Sequence, residues 1–183
     1  DKSNTINGES SSNLNITNSG TIISAKSKAI NFTDVETGSL ANLSGGIIQA
    51  NTNTISMLEN TGTTDDITIN NYGTIFATDD DNDGTNTIKS DDDSTNVTIN
   101  NFKGGHIYHT SESAVVVVGG SATLTNSGKI ENKDGTSQNA ITLSTDGATG
   151  ATLILKDSGI VIGKINITGS GHTIKVNHGM GQS

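Results

Sequence analysis

Apolar residues fall at alternate positions in short runs along this chain, and the runs come in sets of fixed internal order. Residues 67–77, ITINNYGTIFA, carry one complete set: an alternating run (Ile67, Ile69), an Asn (Asn71), a Gly (Gly73) and a second apolar run from Ile75. The same order returns as LNITNSGTIISA from Leu14, SLANLSGGIIQA from Ser39, VTINNFKGGHIYH from Val97, TLTNSGKIEN from Thr123 and LILKDSGIVIG from Leu153. Period-two alternation marks half-buried strands, and self-similarity at a spacing of a few tens of residues marks a solenoid.

A second element lies between copies of the first. It is a polar residue, then Ala or Thr, then Ile or Val: Asn4-Thr5-Ile6, Lys28-Ala29-Ile30, Asn53-Thr54-Ile55, Asn86-Thr87-Ile88, Ser113-Ala114-Val115, Asn139-Ala140-Ile141 and His172-Thr173-Ile174. Each unit then holds three short strands. Ile30/Phe32, Ile55/Met57, Val115/Val117 and Ile141/Leu143 are expected to face inward from the first strand, and Leu14/Ile16, Ile67/Ile69, Val97/Ile99 and Leu153/Leu155 from the second. Ile22, Ile48, Ile75, Ile107, Ile130 and Val161 anchor the third. One such coil cannot bury its apolar side alone, whereas stacked coils bury a continuous core and pair every backbone N–H and C=O with the coil above and below. The fold predicted is all-β: a right-handed parallel β-helix of about six to seven three-strand coils, a single domain over residues 1–183. At the ordinary ~4.8 Å strand spacing this makes a rod about 30 Å long. A two-layer sandwich would need hairpin dipeptides between its strands and would leave the internal repetition unexplained.

One bend is predicted to stack Asn18, Asn42, Asn71, Asn101 and Asn126, with Asp157 in the sixth place. Asn amides can hydrogen-bond along such a column and tolerate the left-handed backbone of a sharp turn. Gly20, Gly46, Gly73, Gly105, Gly128 and Gly159 make a second column beside it. Both columns read as scaffold, because a turn needs these residue types whatever the protein does.

Composition alone would suggest a different picture: hydrophobic residues make up 30% of the chain and aromatics 3%, with Asn, Thr, Ser and Gly dominant. That is the profile of a disordered chain, and the ordered alternation of Ile, Val and Leu overrides it. Pro is absent, as expected where nearly every N–H joins a ladder, and the absence of Cys excludes disulfides and thiolate chemistry. A net charge of −9, with ten Lys and no Arg, argues against a phosphate-reading surface and so against nucleic acid as partner. No apolar run reaches the length of a membrane-spanning helix. The first residues enter in mid-repeat and do not read as a signal peptide. The sequence is therefore expected to be a piece of a longer passenger, with open ends that continue into further coils or associate end to end.

Imperfect N-x-G-x-I coils, rich in Asn, Thr, Ser and Gly and free of Cys, resemble the passenger domains of bacterial type V secretion autotransporters, from Thr5 to about Val176. The resemblance implies export through the outer membrane and work at the bacterial surface or, once released, as a secreted virulence factor. It implies an adhesin on a host cell-surface protein or extracellular matrix, or an effector that signals through a host receptor such as a growth-factor receptor. The family's signal peptide and outer-membrane barrel would lie outside this stretch, and no catalytic motif comes with the likeness.

Three groups of residues stand apart from the scaffold. The acidic insert 78–86 holds Asp79, Asp81 and Asp83 at alternate positions followed by Gly84, the first half of a calcium-loop pattern, with Ser90 where a bidentate Glu belongs. Nine of the nineteen acidic residues fall between Asp65 and Asp93, so a solvated acidic loop competes with a calcium site; no other cofactor is expected. His106 and His109, three apart on a strand, point to opposite faces and read as surface histidines rather than zinc ligands. The outward ladder of the third strand, Ile23, Gln49, Phe76, Tyr108, Glu131 and Ile162, puts Phe76 and Tyr108 on adjacent coils. The residues after the corner Asn, Ser19, Leu43, Tyr72, Phe102, Ser127 and Ser158, put Leu43, Tyr72 and Phe102 beside them. Four of the five aromatics thus gather on one side and are candidate partner contacts, against the competing reading that they cover the corner of the coil. The expected function is non-enzymatic binding. A polysaccharide-active β-helix enzyme of the lyase type is the alternative, weakened by the absence of Arg and Trp, and a structural spacer rod is a third reading.

Overall fold

The Ile- and Val-rich runs, two to six residues long, are too short to make a stable sheet within one coil. They pair instead with the run in the same place of the next coil, always in parallel. The computed structural model describes residues 4–8, 10–57, 66–78, 85–90, 96–144 and 149–177. Coil 1 holds β1 (Ile6–Asn7), β2 (Leu14–Asn18) and β3 (Thr21–Ser24), and coil 2 holds β4 (Ile30–Asn31), β5 (Thr37–Asn42) and β6 (Ile47–Ala50). Coil 3 holds β7 (Ile55–Met57), β8 (Asp66–Asn71) and β9 (Thr74–Ala77), and coil 4 holds β10 (Ile88–Ser90), β11 (Thr98–Asn101) and β12 (His106–His109). Coil 5 holds β13 (Val116–Val118), β14 (Thr123–Asn126) and β15 (Lys129–Asn132), and coil 6 holds β16 (Asn139–Ser144), β17 (Thr152–Leu155) and β18 (Ile160–Ile162). β19 (Lys164–Thr168) and β20 (Thr173–Val176) begin a seventh. Among the described residues these make three parallel sheets of seven, seven and six strands, the three-strand β-helix that the repetition predicts.

The inward residues stack into one core. Ile48, Ile75, Ile107 and Ile130 lie in register on the third sheet and are fully buried, each worth about 1.5–3 kcal/mol relative to exposure. Size is compensated between neighbours. Gly38 stands in the column between Leu14 and Ile67, and the Phe32 ring takes the room it leaves: a Cβ on Gly38 would come within 2.9 Å of that ring and 2.8 Å of Ile67 Cδ1.

Two first-sheet elements differ from the repeat-based expectation. Val116, not Val115, lies opposite Ile88, so Val116 and Val118 take the inward ladder positions and Val117 is half-exposed, while Val115, just before the strand, is buried as expected. Four consecutive valines carry no local signal of which alternate pair takes the ladder positions, and the pairing with β10 decides it. His172-Thr173-Ile174 does not open a new coil, because Thr173–Val176 pairs with β17 on the second sheet. The seventh first-sheet strand is Lys164–Thr168, with Ile165 opposite Ile141. Its corner is a single residue, Gly163, at a φ of +124°, so the polar-Ala-Ile signature that marks the longer corners is missing there.

At the corner between the second and third sheets Asn18, Asn42, Asn71, Asn101 and Asn126 stack in register. Each buried amide donates from Nδ2 to Oδ1 of the next, at 2.8, 2.8, 2.9 and 2.9 Å. None of the five has a left-handed backbone; among the described non-glycine residues positive φ occurs at Ser10, Asp34 and Asn96. Each Asn is the last residue of its strand, and the bend falls on the residues after it. Asp157 is not in the column. Leu155 lies opposite Asn126, Asp157 is exposed two residues further on, and Asn126 Nδ2 ends the ladder on the Ile160 carbonyl at 3.1 Å.

The misplacement has a geometric reason: the corner comes in two lengths that alternate. Asn18–Thr21, Asn71–Thr74 and Asn126–Lys129 are short, whereas Asn42–Ile47, Asn101–His106 and Leu155–Ile160 are two residues longer. In the long ones the N–H groups of Gly46, Gly105 and Gly159 close a turn on the carbonyls of Leu43, Phe102 and Lys156, each at 2.8 Å. A match anchored on the following Ser-Gly therefore slips by two in coil 6.

The glycine column is packed against this corner. A Cβ on Gly73 would lie 2.6 Å from the Leu43 oxygen, 2.8 Å from Asn42 Nδ2 and closer still to the Gly46 oxygen, whereas one on Gly20 meets nothing within 4 Å. Gly73→Ala is therefore expected to destabilise by about 2–3 kcal/mol and Gly20→Ala by less than about 0.5, read from urea midpoints. Asn71→Ala strands a buried donor on Asn42 and a buried acceptor on Asn101, at an expected cost of about 3 kcal/mol in the same measurement.

Candidate functional site

The outer face of the third sheet is built by alternation: where Ile75, Ile107 and Ile130 point inward, their neighbours Thr74/Phe76, His106/Tyr108 and Lys129/Glu131 point out, one pair per coil. The ladder register puts Phe76 on Tyr108, and their rings stack with centroids 4.7 Å apart and planes 12° from parallel. Lys133, just beyond β15, lays its ammonium 3.5 Å from the Tyr108 ring centre, and the His106 ring leans on the same tyrosine at 4.7 Å. Coil 5 thus supplies a cation to an aromatic pair from coils 3 and 4, a contact worth about 0.5–1 kcal/mol where exposed.

Beside it, His106 Nε2 lies 3.0 Å and Lys129 Nζ 2.7 Å from one oxygen of Glu131. Burial lowers the His106 pKa below its ordinary 6.5, the hydrogen bond to Glu131 pulls the other way, and Lys129 and Lys133 add to the lowering. For Glu131 burial would raise the pKa, but the bond and charge of Lys129, joined by His106, hold it below the usual 4.5. Burial, then the charge of Glu131, pushes the Tyr108 phenol up. At neutral pH the face therefore carries a neutral imidazole donating from Nε2, a carboxylate accepting two donors, and a neutral phenol.

At the adjoining corner Tyr72 and Phe102 stack with centroids 4.3 Å apart and planes 2° from parallel. Tyr72 is 40% exposed and Leu43, one coil earlier, 38%. The five candidate contacts Leu43, Tyr72, Phe76, Phe102 and Tyr108 therefore lie on two columns of coils 2 to 4, and the fifth aromatic, Phe32, is buried in the core. Sequence reasoning passed over His106, Lys129, Glu131 and Lys133 as a group. The signal was present in the ladder register, which sets His106 beside Lys129 and Tyr108 beside Glu131.

His109 is not a surface residue. It is fully buried at the end of β12, next to Ala77, whose small side chain leaves it room, and its Nδ1 accepts the Ser111 N–H at 3.1 Å. Asp79, Asp81 and Asp83 lie outside the described residues, among which no three His, Asp or Glu side chains converge as a metal site requires. No protein-family model, curated protein or solved structure matches the chain.

Both lowered pKa values make acid destabilising. The His106 contribution is present above pH 6.5 and is lost as pH falls through its folded value; that of Glu131 is present above 4.5 and is lost below that. By NMR titration His106 is expected to have its midpoint below 6.5. Glu131→Gln moves it further down, because the raising partner loses its charge, and Lys129→Ala moves it up.

Proposed function

We propose that this chain belongs to an exported bacterial passenger domain of the autotransporter kind and works by binding, its target a host cell-surface protein or extracellular matrix. The observation that carries this reading is the placement of the aromatics: four of five stand on the outside, in two ring stacks on coils 3 and 4, on a chain whose core is built from Ile, Val and Leu. Exposed aromatics gathered in one region of an otherwise polar surface are what partner contacts are made of. The rod holds these side chains one strand spacing apart, so a partner meets a preorganised array and ordering costs little. Adhesion at the bacterial surface and signalling after release, through a receptor such as a growth-factor receptor, would use the same face.

Fluorescently labelled chain applied to cultured epithelial cells tests the reading. The double variants Tyr72→Ser/Phe102→Ser and Phe76→Ser/Tyr108→Ser, with circular dichroism confirming the fold, are each expected to weaken cell binding at least about tenfold, the loss of one or two hot-spot residues. Undiminished binding by both variants would falsify the proposal, and release of unsaturated products from an acidic polysaccharide would favour the lyase alternative instead.

A further inference from the structure

Leu43, Tyr72, Phe102, Ser127 and Lys156 form one corner column, one residue per coil. Each donates its N–H to the preceding coil, to the carbonyls of Asn18, Asn42, Asn71, Asn101 and Asn126 at 2.7–2.9 Å. The long corners of coils 2, 4 and 6 carry two extra residues each, Ser44-Gly45, Lys103-Gly104 and Asp157-Ser158, so the short corners of coils 3 and 5 lie recessed between them. In coil 3 the recess is filled by Tyr72, whose ring lies flat on Phe102. In coil 5 the same place holds Ser127, too small to cover the second face of the Phe102 ring. Lys156, exposed, comes next, two strand spacings or about 10 Å from Phe102.

The neighbouring face shows what fits between an aromatic and a lysine on this scaffold. Tyr108 lies between Phe76 of the coil before, at 4.7 Å, and the ammonium of Lys133 from the coil after, at 3.5 Å. The corner column has the two outer members of such a sandwich, Phe102 and Lys156, and a serine where the ring would be.

We propose that the recess at Ser127 is a notch for one aromatic side chain of a protein partner, stacked on Phe102 and covered by Lys156, and that acidic residues flank this side chain in the partner. The acidic flank follows from charge complementarity. Lys103 and Lys156 stand exposed on the two lips of the notch, with Asp157 the one acid at the same corners. The acids are also unevenly spread along the sequence: residues 97–183 hold six lysines and five acids, whereas residues 1–96 hold four lysines and fourteen acids. This names the partner's chemistry for the binding face described above and rests on that reading.

The chain has no Trp, so indole fluorescence reports on a probe peptide alone. The probe is Asp-Glu-Trp-Glu-Asp, blocked at both ends, with its Leu analogue as competitor. Saturable binding is expected, with the Leu analogue competing at least about tenfold more weakly. Ser127→Tyr places the chain's own ring in the notch and Lys156→Glu reverses the charge of one lip; each is expected to weaken probe binding about tenfold or more, while Lys26→Ala, at an exposed lysine outside the site, leaves it unchanged. No saturable binding at millimolar peptide, or binding indifferent to both corner variants, overturns the notch. Cell binding unchanged in Ser127→Tyr but lost in Tyr72→Ser/Phe102→Ser also overturns it and leaves the wider face standing, whereas cell binding that survives all these variants removes both.

Discussion

The structure depends on the backbone ladder between coils. Among the described residues no strand has a partner within its own coil, so every sheet hydrogen bond belongs to a pair of neighbouring coils. The ladder sets one spacing, and the side chains that succeed are those that can use it. A primary amide does so best: it donates and accepts in one plane, and a chain of amides joined at 2.8–2.9 Å runs at the strand repeat. The buried asparagines are thus satisfied by one another in a place where water could not serve them, and the column fixes the register of two sheets at once.

The alternation of short and long corners is the second constraint. If every corner were long, the extra residues of adjacent coils would face one another directly; alternation gives each protruding turn a recessed neighbour on both sides. Glycine is required where the turns pass closest, as at Gly73, whose Cα sits against the carbonyls of Leu43 and Gly46. At this corner the scaffold leaves a free choice in the residue just after the end of the second-sheet strand, and it differs in each coil: Leu43, Tyr72, Phe102, Ser127, Lys156.

Much of this was legible in the sequence, because a stacked coil repeats its physical demands. The third-strand anchors Ile22, Ile48, Ile75, Ile107, Ile130 and Val161 could be read directly and all lie in register. So could the five asparagines. What misled was length rather than residue type. Asp157 resembles a column member only if all corners are equal, and Val115 cannot be told from Val116 in a run of four valines. The coil 7 strand at Lys164 follows a one-residue corner that lacks the usual signature. His109 was legible and passed over: alternation from Ile107 turns it inward, into register with the small Ala77 of the coil before. For the candidate site, the aromatic columns were visible from the repeat, whereas the ring planes and the Lys133 and Glu131 contacts depend on side-chain torsions that no pattern of residue types encodes.

Those ring planes decide what kind of recognition the surface can perform. In the third-sheet column both faces of Tyr108 are taken, one by Phe76 and one by Lys133, so a partner there meets ring edges and a phenol rather than an open stacking platform. At the corner column one face of Phe102 is covered by Tyr72 and the other looks toward a serine. The two columns therefore differ in chemistry although they hold similar residues: the first offers hydrogen bonds and charge, the second offers stacking. Charge follows the same local rule. At physiological salt electrostatic influence decays over about 8 Å, so the charges nearest a contact count most. Around the corner column and the adjoining face of coils 4 to 6 these include the lysines at 103, 129, 133 and 156, which makes a rod that is acidic overall locally receptive to an acidic partner.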